Sequence, residues 1–451
     1  MIRSMSFHMP GGCCPWRIGM DRHPERPGTP VTQTPVFSPE GACMKTFSIT
    51  ILAVLITWSG ALLAQEPEGT PPPAASDVPV KIEPNAEEKT PPAVEEKMEP
   101  KEGEKPVTPV EEKKEAVKDI PLKFKGDLRY RHETIDLTDE EANQRHRIRL
   151  RFGVFSEINQ QLEFGFQMAS GTGDPISTNQ TLSPAFTKKP LTIDLAYFNY
   201  KPVEGLSIVG GKMKNPMFRP GDSQLMWDSD LTPEGLSLSF ARKISSMKVF
   251  ATGVAFWNAD RKGDEDDAHI LGGQGGLEMK FGAFQIVVAG SLYNYTKILG
   301  YGPVYNDNAF GNTLDANTLY ANDYNLLDAG LELRGKLAGL PFSVFGQFVQ
   351  NLAADEEKTA FLAGFSIGEA KKPMGWRLQY NFRSLQRDAV FATFSDSDFI
   401  GGGSGGSGHM ASFEFAMSSN MLLGLTVQRS TLDDDAETDY TRVQVDLGVK
   451  F

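Results

Sequence analysis

Cysteine is nearly missing from this sequence. The 451 residues hold three, Cys13, Cys14 and Cys43, and none lies beyond residue 43. The rest of the chain therefore has no disulfide framework, thiol nucleophile or cysteine-held metal. Histidine is sparse too. His132, His146, His269 and His409 are scattered, with no His-Glu-x-x-His pattern. No Ser, His and carboxylate set is assembled by strand alternation, so no catalytic, cofactor or metal site is expected. Long apolar runs are also lacking. Outside one N-terminal segment, none reaches the roughly 18 residues that a spanning helix needs. Positive charge is in deficit: 45 basic against 58 acidic residues leave a net charge of −13, which disfavours nucleic acid as a partner.

What is present divides the chain into parts. Residues 1–43 are rich in Pro, Arg and Gly and lack periodicity. They read as an extension upstream of the native start at Met44. Lys45 precedes the apolar stretch Phe47–Leu63, and Ala64 stands before Gln65. That arrangement predicts a cleavable signal peptide over 44–64; a retained membrane anchor is the alternative. Residues 65–118 are Pro, Glu, Lys and Ala with almost no aromatics, and Glu-Glu-Lys recurs at 87–89, 95–97 and 111–113. Such a segment cannot offset its ordering entropy by burial, which predicts a disordered periplasmic linker. A tether to peptidoglycan or a partner is the other reading.

From residue 119 the period becomes two. Ile148, Leu150 and Phe152 alternate with Arg147, Arg149 and Arg151. In the last stretch Val443, Val445, Leu447, Val449 and Phe451 alternate with Arg442, Gln444, Asp446, Gly448 and Lys450. Alternate side chains of a strand point to opposite faces, so each strand has an apolar and a polar face. About 16 such strands can be counted, with short and long connections in alternation. The predicted fold is all-β: a transmembrane antiparallel up-and-down β-barrel over 119–451. It has short periplasmic turns, long outer loops, lipid on the apolar face and the polar face inside. A soluble lectin-like sandwich is the rival, but it has no reason to segregate loop lengths. Tyr197, Tyr200, Trp257, Tyr293, Tyr295, Trp376 and Tyr380 lie near strand ends and suit interfacial girdles. Asn306, Asp307, Asn308, Asn312 and Gly401–Gly408 read as mobile outer loops. The acid-rich stretches 258–270 and 431–439 read as solvated loop tips, since neither has the ligand spacing of a calcium hand.

The third long loop with its flanks reads GKMKNPMFRPGDSQLMWDSDLTPEGL, residues 211–236. Gly211-Lys212, Asn215-Pro216, Trp227-Asp228-Ser229-Asp230 and Pro233-Glu234-Gly235 resemble a block of the putative porin family of Gram-negative outer membranes. The resemblance runs from about Lys123 to Phe451 and implies a trans-outer-membrane porin, with no particular solute. By analogy with general porins, this loop folds inward and narrows the channel, in a barrel otherwise wide enough for an aqueous lumen. A terminal strand ending in Phe451 resembles the signal that the barrel-assembly machinery reads.

The residues themselves agree with that reading. A lipid-facing charge near mid-membrane costs about 2–4 kcal/mol, so the strand arginines belong inside. The expected pore-lining and constriction set is Arg129, Arg131, Arg147, Arg149, Arg151, Arg377 and Arg383, with Lys212, Asp222, Asp228, Asp230 and Glu234 from the third loop and its flanks. Opposed basic and acidic groups would favour small hydrophilic solutes, and charged rings tune ion selectivity. An even alternative has these arginines merely solvating a wide lumen. The predicted function is passive diffusion of small hydrophilic solutes or ions. A substrate-specific channel and a surface adhesin or receptor are the alternatives, and a surface enzyme is the weakest reading. Expected partners are outer-membrane lipid and lipopolysaccharide, the barrel-assembly machinery, and two further copies in a homotrimer.

Overall fold

The computed structural model describes residues 120–183, 185–263, 266–434 and 436–451. The expected leader, the linker and the three cysteines lie outside them, as do Asp264, Glu265 and Asp435. The strands are β1 (Leu122–Leu137), β2 (Asn143–Glu157), β3 (Leu162–Ser170), β4 (Gln180–Thr181), β5 (Leu191–Tyr200), β6 (Leu206–Lys212), β7 (Glu234–Ile244), β8 (Met247–Ala259) and β9 (Ala268–Phe281). They continue as β10 (Phe284–Tyr295), β11 (Tyr324–Leu337), β12 (Leu340–Asn351), β13 (Thr359–Gly368), β14 (Trp376–Leu385), β15 (Gly406–Ala416), β16 (Met421–Leu432) and β17 (Asp439–Lys450). Sixteen are long. The two-residue β4 lies in the connection from β3 to β5 and pairs with the upper part of β2.

Each long strand pairs antiparallel with its neighbours, and β17 returns to β1 from Asp127↔Lys450 to Leu137↔Tyr440. The sheet is therefore a closed antiparallel barrel of sixteen spanning strands. Closure leaves no free edge, so every strand's backbone finds a partner, as a membrane interior demands. The last residue completes the seam. Gly126 N–H donates to Phe451 O at 2.8 Å, and Phe451 N–H to Gly126 O at 3.0 Å. The Phe451 ring lies where a Cβ on Gly126 would be, 2.5 Å from that position.

Connections at one end are tight. Ala338 and Gly339, with φ of 50° and 83°, form the whole β11–β12 turn, the two-residue geometry that matches strand twist. Connections at the other end include residues 213–233, 296–323 and 386–405. Outward positions are apolar: on β10, Phe284, Ile286, Val288 and Leu292 precede Asn294, which hydrogen-bonds across to outward Asn325. Phe284 to Leu292 covers about 27 Å along the strand, or about 21 Å across a membrane at a tilt of about 40°.

The inward face departs from the expectation of a polar interior. On β8–β13 it carries Val254, Phe256, Ile270, Tyr293, Tyr295, Tyr324, Leu326, Phe345 and Val349, all buried in one apolar cluster. Tyr293 and Tyr295 are thus core residues rather than girdle residues, and Tyr197 packs against the same cluster. Tyr200, Trp257 and Trp376 are exposed on the outward face, and Tyr380 stands there opposite exposed Phe365. Gly401–Gly408 is likewise not a free loop. Gly403, Ser404, Gly405 and Gly406 are buried, and Ser404 N–H donates to Phe310 O at 2.9 Å. Gly403 has φ of 102°, and a Cβ there would come within 2.1 Å of that oxygen, so the sequence is glycine-rich because two loop backbones touch.

Candidate functional site

The inner face of β1, β2 and β17 is a charged wall. Closure sets Arg131 of β1 opposite Asp446 of β17, and alternation points both inward. Arg131 Nε donates to Asp446 at 2.7 Å, and its Nη1 reaches Asp398 at 3.1 Å. Arg149 and Arg151 of β2 share Asp127 at 2.8 and 3.0 Å. Both also approach Asp230, at 3.6 and 3.5 Å. Glu133 is wholly buried and takes Arg442 at 2.6 Å, Arg147 at 3.3 Å and Arg145. Such buried carboxylates are tolerable only when paired in this way. Arg129 differs. Its Nη2 donates to Asn179 Oδ1 at 2.6 Å, its Nε has no partner, and the nearest carboxylate oxygen is Asp446's, 3.9 Å away.

Residues 213–233, between β6 and β7, meet the inward side chains of distant strands. Phe218 N–H donates to Gln274 of β9 at 2.7 Å, and Gly221 N–H to Glu332 of β11 at 3.0 Å. Gln379 of β14 donates back to Gly221 O at 3.3 Å. Gly221 has φ of 59°, and a Cβ there would fall 2.4 Å from the Phe345 ring of β12. Only glycine fits that approach. Further on, Trp227 stacks on Phe394 at a centroid distance of 6.0 Å and meets Tyr293 edge-on at 5.7 Å.

Phe394 belongs to a second loop that packs inside, residues 386–405. Asp228 N–H donates to Phe394 O at 2.8 Å, and Asp228 Oδ2 accepts from Ser397 N–H at 2.8 Å. Asp396 pairs with Arg383 at 2.6 Å, and Asp398 with Arg442 at 2.7 Å. A third loop, residues 296–323, locks this one. Asn312 donates to Arg387 O and Val390 O at 2.6 and 2.9 Å, and Tyr324 OH donates to Asp388 at 2.9 Å.

Between the charged wall and these loops is a cavity of about 450 Å³. Eight carboxylates and six basic side chains line it. Their protonation differs with surroundings. Burial pushes the Asp228 carboxyl well above its usual range, and Asp396 and Asp230 push it further. Burial opposes the charge of Asp230 as well, but Arg149, Arg151 and Arg129 outweigh it and hold the group below the usual range. Arg442 and Arg131 do the same for Asp398.

Of the residues singled out from sequence, Arg129, Arg131, Arg149, Arg151, Arg377, Asp222, Asp228 and Asp230 line this cavity. Arg147 stands beside it, bonded to Glu133 and Asn179 O. Arg383 lies beneath the 386–405 loop, 2 % exposed, with Phe399 over its guanidinium at 4.7 Å. Lys212 and Glu234 are corrections. They are cross-strand partners on the same face as exposed Leu236, Leu238 and Phe240, so they stand on the outward rim and pair with each other at 2.8 Å. Strand parity put them there, because Lys212 is in register with Ile208 and Gly210 rather than with the inward residues. Sequence reasoning missed Asp127, Asp396, Asp398, Glu414 and Asp446 as lining groups. Asp127 and Asp446 could have been found by pairing the first strand with the last. Asp396 and Asp398 left no such signal.

The chain matches the profile of a family described as "putative porin" over residues 127–318 and 331–451. It belongs to that family. The porin fold is matched in solved structures as well. Pseudomonas putida OprB aligns with a TM-score of 0.52 at 12 % identity, covering 73 % of this chain and 94 % of that one. Salmonella typhi OmpF aligns at 0.46 and 12 %, covering 73 % and 97 %. A Rhodopseudomonas blastica porin aligns at 0.42 and 11 %, covering 73 % and 100 %. No curated relative matches. Family and fold together make this protein a porin-type outer-membrane channel and point away from an enzyme.

Proposed function

We propose that this porin is a passive diffusion channel for small hydrophilic solutes and ions, narrowed where residues 213–233 and 386–405 approach the charged wall. The cavity with guanidinium groups on β1 and β2 and carboxylates on the two loops carries the reading. Opposed charges across a narrow opening orient polar solutes and disfavour apolar ones. In this proposal the long loops face outward towards lipopolysaccharide and the tight turns face the periplasm. Residues 44–64 export the chain, 65–118 form the periplasmic linker, and Phe451 serves the assembly machinery. A homotrimer is part of the proposal. Ala251, Gly275, Gly290 and Ala329 are consecutive cross-strand partners on the outward face, so their row gives a flat surface for close approach.

The test is conductance of the purified protein in a planar bilayer under a salt gradient. Stepwise openings are expected. Carboxylates outnumber basic groups along the cavity, so a weak cation preference is expected as well. A sealed bilayer despite a folded, heat-modifiable barrel would overturn the reading. Mass measurement in detergent checks the trimer.

A further inference from the structure

The geometry points to a solute class: we propose that the cavity is a station for zwitterions of amino-acid size, with the carboxylate at Arg129 and the ammonium at Asp222. This deepens the channel reading and rests on it.

The argument begins with which charges are already spent. Arg131, Arg149 and Arg151 each hydrogen-bond a carboxylate within 3.0 Å, and Arg377 Nε stands 3.1 Å from Glu414. Lys450, exposed and without an ion pair among the described residues, has no guanidinium fork. Arg129 has no carboxylate oxygen nearer than 3.9 Å, and its Nε is buried without a partner. A guanidinium short of hydrogen bonds binds a carboxylate through two parallel N–H bonds better than any other side chain does. There is also room beside it. Its partner on β17 is Gly448, where an added Cβ would meet nothing nearer than Leu422 O at 3.9 Å. Gly424 continues that bare floor on β16. The wall next to Arg129 is therefore backbone, open to a ligand atom.

On the loop side stands Asp222. It is exposed in the 213–233 loop and forms no ion pair within 4 Å among the described residues. Its position is fixed, because the preceding Gly221 is held from both sides by Glu332 and Gln379. The cavity is also lined by neutral polar groups, among them Ser412, Thr426, Gln444 and Gln428. Gln428 is 2 % exposed, and its Oε1 has no partner. An unsatisfied buried acceptor there invites a donor from a ligand. A lone anion in this space faces the surplus carboxylates, and a lone cation faces the arginine wall. A solute with both charges meets each pole with its complement. The cavity, at about 450 Å³, is far larger than the ~30 Å³ share of one water, so such a solute fits with part of its hydration.

Four isosteric probes separate the possibilities: alanine (zwitterion), lactate (anion), alaninamide (cation) and lactamide (neutral). The protein purified from outer membranes is reconstituted in liposomes, with the membrane potential clamped at zero. Uptake of each radiolabelled probe is measured at concentrations below saturation. Alanine is expected to enter about tenfold faster than lactamide, the low end of the scale for one charge-assisted hydrogen bond. The alanine-to-lactamide ratio should fall to about one in Arg129→Gln and in Asp222→Asn, and survive in part in Arg129→Lys. Asp222 is at an exposed loop position, so Asp222→Asn carries the test if Arg129→Gln fails to assemble. A ratio of one in the parent protein overturns the proposal. So does fastest uptake of either singly charged probe, or a ratio untouched by both substitutions. Exclusion of all four, lactamide included, would instead overturn the channel reading itself.

Discussion

The two halves of this barrel's interior are built from the same strand period but do opposite things. Along β8–β13 aromatic and aliphatic side chains, interspersed with buried polar ones such as Gln274, Asp328 and Glu332, close around Trp227, Phe391 and Phe394 like the core of a soluble domain. Along β1, β2 and β17 the inward positions are mostly charged; Asp127, Arg129, Arg149, Arg151 and Asp446 border the cavity, while Glu133 and Arg442 are buried in ion pairs. One half holds the loops in place by burial, which is non-directional and worth about 25 cal/mol per Å² of apolar surface. The other half borders the cavity with charges that favour hydration over drying. Neither half would make a channel alone. Apolar packing on every side would plug the barrel, and the charged wall, which ties Asp230 and Asp398 of the loops to its arginines, would hold those loops at those points alone, without the packed centre around Trp227.

Substitutions can break that division. Removing one partner of a buried ion pair costs about 3–5 kcal/mol, so Arg383→Gln, which leaves Asp396 buried and uncompensated, should free the 386–405 loop. A marked drop in the temperature of heat modification is expected; unchanged melting would mean that the pair does not hold the loop. Trp227→Ala empties the centre of the packed half, at a cost of about 3–5 kcal/mol. Assembly should persist while single-channel conductance rises and becomes noisy, because the 213–233 loop loses its anchor.

The charged half gives smaller effects. Asp228 has its carboxyl raised in the folded state, so the folded chain holds that proton more tightly than the unfolded one. That contribution is complete below the unfolded value of about 3.9 and is lost as pH rises through the raised one. Asp230 works in the opposite sense, with its contribution present above about 3.9 and lost only in stronger acid. Melting temperature should therefore decline as pH rises above about 3.9 and through the raised value of Asp228, and Asp228→Asn should flatten the profile. Arg149→Glu should shift the reversal potential towards cations. Arg147→Glu, outside the cavity and beside Glu133, should lower stability more than it shifts selectivity. Equal selectivity shifts in the two variants would remove the distinction between cavity wall and buried network. Lys212→Gln, on the outward rim, should change stability by less than about 1 kcal/mol and leave the reversal potential alone.

The strands were legible in the sequence because alternation is local. Val443 to Phe451 announce a strand without knowledge of any other residue. The face of each residue was legible by the same rule, which is why Arg129, Arg149 and Arg151 proved to lie inward. Where parity was set aside in favour of a motif read as a unit, as with Lys212 and Glu234, the placement was wrong. Contacts between loops were not legible. Gly403 and Phe310 meet across about ninety residues, and nothing in a run of Gly and Ser distinguishes close backbone approach from freedom. The inward aromatics of β10 failed for a related reason: tyrosine near a strand end suits a lipid interface or a packed interior equally, and only the loop that covers Tyr293 and Tyr295 decides between them.

The seam between β1 and β17 joins residues more than three hundred positions apart, and the bonds from Arg131 to Asp446 and from Arg442 to Glu133 both cross it. Until β17 pairs with β1, Arg131 lacks Asp446 and Glu133 lacks Arg442, and the charged wall is unfinished. β17 is thus a structural component of the proposed constriction as well as of the seam. A chain without β17 would lose the charges of the proposed constriction together with its closure, so that a check on assembly is at once a check on permeation.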